Sequence, residues 1–117
     1  MPAPSQLTIA TSSVLRLLKE EITYHKELVD QEAKIKILEE KINSGAVTSD
    51  DNQEFMLKQE RTAAEQTKAV FVPLKQKIED AVTKLEEQIA LKEAEGGPEA
   101  EIEQAKAVLG QAKAAIN

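Results

Sequence analysis

Cysteine is absent from this chain, which excludes disulfides and thiolate metal sites. Tryptophan is absent too, and aromatic residues make up only 3% of the sequence, too few for the aromatic-rich cores of most sheet proteins. The densest apolar run is Ala69 to Leu74, far short of the ~18 residues of a membrane span. The opening residues, Met1 to Gln6, lack the basic start and apolar stretch of a secretion signal. Basic excess is missing as well: the net charge is −6, with Lys and Arg alternating with Glu and Asp. Nucleic-acid binders carry a basic stripe that releases counterions from phosphates, so nucleic acid is not an expected partner, and neither is a membrane. A soluble cytoplasmic protein is the expectation.

Catalytic signatures are missing in the same way. His25 is the single histidine, so neither paired Glu-x-x-His motifs nor His-Glu-x-x-His can be built. There is no P-loop, no Gly-x-Gly-x-x-Gly and no nucleophile elbow. Ser49 to Glu54 looks like half a calcium loop but lacks the central Gly and the twelfth-position Glu. Its neighbours Lys26 and Glu27 are not the small residues that would expose a phosphotransfer ring at His25, which reads as partly exposed and structural. No enzyme activity, cofactor or metal is expected.

What remains is helical. Ala, Glu, Lys, Leu and Gln dominate, and Gly and Pro number only four each, a composition of helical bundles and coiled coils. Steps of three and four residues trace one seam through Leu7, Ala10, Val14, Leu17, Glu21, Tyr24, Leu28, Gln31, Ile35, Leu38 and Ile42. Glu21, Tyr24 and Gln31 break its hydrocarbon character. Polar groups on such a seam either set register or meet a partner.

Three helices are expected in one domain spanning 1–117: about 5–43, 50–95 and 98–116. The first has two starts open to it, near residue 5 or at an N-cap on Ser12 or Ser13. It stops at Asn43, ahead of Gly45. Asp50 with Gln53, or Asp51 with Glu54, offers a capping box for the second. Pro73 lies inside that second helix, where it removes a backbone donor to the Ala69 carbonyl, at ~3 kcal/mol. A kink there is preferred to a complete break, because no Gly, Asn or Ser cluster flanks it. Gly96, Gly97 and Pro98 separate the second and third helices. The third seam reads Ile102, Ala105, Leu109, Ala112, Ile116. Charge pairs one turn apart are expected at Asp30–Lys34, Glu32–Lys36, Glu54–Lys58 and Asp80–Lys84, each contributing ~0.2–0.5 kcal/mol.

Lengths then set the arrangement. A rise of 1.5 Å per residue gives helices of ~58, ~69 and ~28 Å, and short links force antiparallel neighbours. The expected fold is all-α: an elongated antiparallel three-helix bundle, a spectrin-repeat-like rod with the middle helix kinked at Pro73. The short third helix covers the first only to about Tyr24. Beyond it, the rod thins towards two helices, and the second helix offers a poor seam there (Phe55, Met56, Leu57, Ala63, Ala64, Val70). That end leaves apolar surface for dimerisation or partner capture, unless long Lys and Gln stems shield it.

Leu15, Leu17, Leu18, Lys19, Glu20 and Glu21, then Tyr24, Glu27 and Leu28, then Asp30, Gln31, Glu32 and Ala33, resemble the signature of the tubulin-binding cofactor A family. Val70-Phe71-Val72-Pro73 inside a later helix matches the same pattern. The likeness is tight over roughly 15–40 and poor over Gln53 to Lys68; the link after the first helix looks longer than the family's usual form.

The resemblance implies a non-enzymatic tubulin-folding chaperone using neither nucleotide nor metal. Members hold β-tubulin folding intermediates after chaperonin release, before later tubulin-folding cofactors assemble the αβ heterodimer. Some members form homodimers and others are monomers. The exposed neighbours of the polar seam are then the expected partner contacts: Lys19, Glu20, Tyr24, Glu27, Gln31 and Glu32. A structural coiled-coil adaptor or dimerisation module is the competing class, in which these residues only set register.

Overall fold

Every one of the eleven seam positions from Leu7 to Ile42 is buried or half-buried in the computed structural model, which describes residues 4–45 and 52–116. The fold is all-α, with three helices among the described residues: α1 (Gln6–Asn43), α2 (Asn52–Glu95) and α3 (Glu99–Ile116). None of them is long and apolar enough to cross a membrane.

Helix ends follow local chemistry. Of the two starts open to α1, the structure takes the earlier. Ser5 is the N-cap: its Oγ accepts from the Thr8 backbone N–H at 3.1 Å, and its carbonyl accepts from Ile9 N–H at 3.0 Å. At the other end Gly45 has φ 68° and its N–H reaches the Ile42 carbonyl. At the end of α2, Gly96 (φ 71°) donates to the Glu93 carbonyl and Gly97 donates to Lys92 at 2.9 Å. This 6→1 and 5→2 pair is a Schellman motif, and only glycine takes its left-handed residue without strain. The capping box expected at Asp50 or Asp51 lies outside the described residues. α2 continues through Pro73 as one helix, so the complete break does not occur.

The chain divides into two compact units: Met1–Glu21 with Pro73–Asn117, and Ile22–Val72. The first is a three-helix bundle. Lys106 Nζ meets Glu93 at 2.9 Å and Lys113 Nζ meets Glu86 at 3.1 Å. As numbers rise on α3 they fall on α2, so these helices are antiparallel. Ser5 and Thr8 both donate to Glu101, Thr8 at 2.9 Å, which sets the start of α3 beside the start of α1. The two run parallel, and Ile116 comes level with about residue 21 of α1.

The core of this unit is Leu7, Val14, Leu74, Ile78, Val82, Leu85 and Ile89, closed by Ile102, Ala105, Val108 and Ala112 of α3. Val108, not the expected Leu109, is the deep residue; Leu109 is half-buried. α3 sits against two helices at once, so its buried face is wider than one seam. Thr11 is buried and satisfied by the Leu7 carbonyl at 2.8 Å.

The Ile22–Val72 unit is a two-helix hairpin. Tyr24 meets Phe71, and Arg61 Nη2 meets Glu39 Oε2 at 3.0 Å; the crossing numbers again mark antiparallel helices. Its core is thin: Leu38, Leu57 and Ala64, with Thr67 bonded to its own Ala63 carbonyl at 3.1 Å.

The four charge pairs expected one turn apart are not the ones formed. Asp80 instead accepts from Gln76 Nε2 at 3.0 Å, and three of the ion pairs join different helices. All of these are solvent-exposed and contribute ~0–1 kcal/mol each.

One contact does carry a pH dependence. The Ser5 hydroxyl, then the Thr8 hydroxyl and the Lys92 charge hold the Glu101 carboxyl below its ordinary value of 4.5. A carboxyl depressed on folding stabilises the fold above its unfolded pKa. That stability disappears as pH falls through the lower, folded value. Urea titrations of wild type and Glu101→Gln are expected to diverge above about pH 5 and to converge under acid. Equal pH slopes for the two proteins would remove Glu101 from the acid response.

Candidate partner-binding surface

Heptad position organises the hairpin. With Leu28 and Ile35 at a, Tyr24, Gln31 and Leu38 fall at d. On α2, Leu57, Ala64 and Phe71 fall at a, with Glu60 and Thr67 at d. Tyr24 lies edge-on to Phe71, centroids 6.5 Å apart at 78°. His25, one residue on at e, stacks on the same ring at 4.4 Å and 28°. Offset and edge-on ring pairs contribute ~0.5–1.5 kcal/mol beyond their burial. Phe71 thus pins both aromatic side chains of α1. His25 is exposed and held by stacking, in keeping with a structural role.

The six expected contact residues are not gathered into one patch. Lys19 and Glu20 precede the hairpin, in the three-helix unit. Glu20 and Glu27 share the g edge of α1 and are exposed, and Glu32 is exposed on the opposite e edge. Tyr24 and Gln31 lie between them, half-buried in the seam. Lys19 is exposed at f, facing away from the seam.

Gln31 has a further peculiarity. Its Oε1 is buried with no hydrogen-bond partner. A buried acceptor left unpaired costs ~1–3 kcal/mol. Gln31→Leu is therefore expected to stabilise the protein by about 1 kcal/mol in urea titration. A destabilised variant would show that the amide is satisfied in solution.

What the seam did not reveal is the apolar surface away from it. Ile22, Val29, Ile37, Phe55, Met56 and Val72 are all exposed and all lie in Ile22–Val72; among the described residues outside it, Ile9 and Leu91 are exposed. Scattered exposed hydrophobics are ordinary, but a concentration marks an interaction surface. Ile22 and Val29 stand a heptad apart at b, a second stripe readable beside the first. Ile37, Leu38 and Met56 line a shallow groove on the g edge, with Lys34, Gln59 and Glu60. Ile22, His25 and Val29 line another on the e edge.

Among the described residues no three His, Asp or Glu side chains come together in a way that could hold a metal ion. The arrangement offers surface: apolar patches ringed by mixed charge, on a folded helical scaffold. A family profile described as tubulin binding cofactor A matches residues 2–109. No curated protein and no solved structure matches the chain.

Proposed function

Because the chain belongs to the tubulin binding cofactor A family, a family of tubulin-binding cofactors and not of known enzymes, we propose the finer role. It is a non-enzymatic chaperone for β-tubulin. It binds folding intermediates after chaperonin release and stabilises them on the way to the αβ heterodimer. It works in the cytoplasm beside the cytoskeleton and passes its client to other tubulin-folding cofactors. The observation that carries this reading is the gathering of exposed apolar side chains on the hairpin.

The physics suits a holding role. A folded helical face loses little conformational entropy on binding. Modest apolar patches interspersed with charge give reversible affinity, which a handover requires. Tyr24, Glu27, Gln31 and Glu32 on the hairpin, with Lys19 and Glu20 before it, supply polar contacts in this reading. A homodimer through the same hairpin would compete with the client.

The test is direct. Tubulin diluted from denaturant is mixed with the purified chain and resolved by size exclusion. A 1:1 complex with β-tubulin is expected. If none forms while circular dichroism shows full helicity, the chaperone role is lost and a structural adaptor takes its place. Lys19→Glu and Glu27→Lys are each expected to weaken the complex; unchanged affinity with intact helicity would take that residue off the binding face.

A further inference from the structure

We infer that the Ile22–Val72 hairpin opens as one cooperative unit while the three-helix unit stays folded, and that Pro73 sets where the opening stops. This goes beyond the tubulin-folding reading and does not depend on it.

Burial is divided unequally. Among the described residues, the apolar side chains with no exposed surface are Leu7, Val14, Ile78, Leu85, Ala105 and Ala112, all in the three-helix unit. The buried apolar side chains of the hairpin are Leu38, Leu57 and Ala64, and Leu38 and Leu57 each stay 8% exposed. Apolar area removed from water is the main term that holds packed helices together. The hairpin has far less of it.

The seam explains the shortfall. Tyr24 against Phe71 gives the register. Steps of four and three residues from that pair, up α1 and down α2, bring further residues level. Leu28 comes level with Thr67, Gln31 with Ala64, Ile35 with Glu60, Leu38 with Leu57, and Ile42 with Gln53. Of these levels, only Leu38 with Leu57 matches two large apolar residues. Glu60 is half-buried, and Gln31 and Gln53 each bury an Oε1 that has no hydrogen-bond partner. Water satisfies both acceptors once the hairpin opens, so opening recovers what their burial costs. The Arg61–Glu39 pair crosses between the helices in solvent and adds little.

Pro73 tilts the balance the same way. The two units divide between Val72 and Pro73, inside continuous α2. While α2 is whole, Pro73 has no N–H to give the Ala69 carbonyl, and the helix carries that cost. Once 52–72 has opened, Pro73 stands in the first turn of the helix that remains. A first-turn N–H has no partner inside a helix, and the fixed φ of proline suits that place. Pro73 therefore penalises the closed helix and not the open one.

The hairpin also carries most of the exposed large apolar side chains, and binding elements are drawn from the least stable parts of a fold. Opening adds Leu28, Ile35, Leu38 and Leu57 to that surface. The chain then has a second apolar face that exists only part of the time.

Native-state hydrogen exchange of the full chain is the test. Amides of 28–38 and 57–67 are expected to exchange about a hundredfold or more faster than those of 78–89. They should share one urea slope, shallower than that of 78–89, because opening the hairpin exposes less surface than global unfolding. Ile78→Val is expected to speed exchange at 78–89 about two- to tenfold and to leave the hairpin amides unchanged. Pro73→Ala restores the missing donor and is expected to slow the hairpin amides about tenfold or more. Circular dichroism verifies that both variants keep their helices.

Equal rates and slopes in the two sets of amides would mean that the chain opens only as a whole. Hairpin amides that speed up in Ile78→Val would mean the same. Rates graded residue by residue away from Asn43 and Asn52, each with its own slope, would mean fraying and not a unit. An unchanged hairpin rate in Pro73→Ala would take the boundary away from the proline. Each of these outcomes overturns the inference and leaves the tubulin role untouched.

Discussion

Replacing Leu85 with alanine is expected to remove about 2–5 kcal/mol of stability. Leu85 is fully buried, between Ile78, Val82 and Ile89 on the side of α2 that faces both other helices. Its neighbours Ile78, Val82 and Ile89 are themselves buried on a long helix, so they relax little around the cavity, and the loss falls at the upper end. A domain of this size is stable by only about 5–15 kcal/mol in total, so this one change consumes a large share. Urea titration should show a lower midpoint at an unchanged slope, the signature of lost stability without lost compactness. Val72→Ala, at an exposed position on the same helix, should move stability by no more than about 0.5 kcal/mol. A loss below about 1 kcal/mol at Leu85 would mean that the packing of α2 against its partners is loose.

Placing aspartate at Ala105 should be more drastic in kind. Ala105 and Ala112 are fully buried on α3, and their small side chains allow close approach to the other helices. An aspartate at 105 must either bury an unpaired carboxylate or push α3 away. Burying it costs several kcal/mol, so release of α3 is the expected outcome, with a loss of about 3–5 kcal/mol. Hydrogen exchange would report this as lost protection across residues 99–116 before the rest of α1 and α2 opens. Ala107→Asp, exposed one turn-face away on the same helix, should be nearly silent. Retained protection of α3 in Ala105→Asp would show that the interface tolerates charge.

These expectations draw on parts of the structure that were unequally legible in the sequence. The α1 seam was readable throughout because one face of one helix repeats with one period, and even its polar members, Glu21, Tyr24 and Gln31, lie half-buried where that period puts them. The stops at Asn43 and Glu95 were readable because Gly45 and Gly96 supply the left-handed residue each stop needs. α3 was read one residue off at its third position. Val108 and Leu109 are both apolar, so composition does not choose between them; packing against two helices does.

α2 before Pro73 was least legible. Phe55 and Met56 are as apolar as Leu57, yet only Leu57 is buried, since the hydrophobic type of a residue does not fix its face. Charge was misread for a related reason. Neighbours one turn apart are visible in a sequence, whereas Arg61–Glu39, Lys106–Glu93 and Lys113–Glu86 require knowing which helices touch. At the candidate surface, Tyr24 was readable from the seam, but its partner Phe71 was not. The second stripe at Ile22 and Val29 carried a readable heptad spacing, overshadowed by the stronger one beside it.

The bonds from Ser5 and Thr8 to Glu101 bear on the order of assembly. They join residues 96 and 93 positions apart, whereas Lys106 and Glu93 are separated by only 13. Contacts between near neighbours close quickly and distant ones late. The α2–α3 turn can therefore close on itself early, while the start of α1 waits for a partner made nearly last. On a translating ribosome, at about 5–20 residues per second, Leu7 and Val14 stay uncovered for several seconds after they emerge. The chain thus spends its own synthesis with an apolar edge in need of cover.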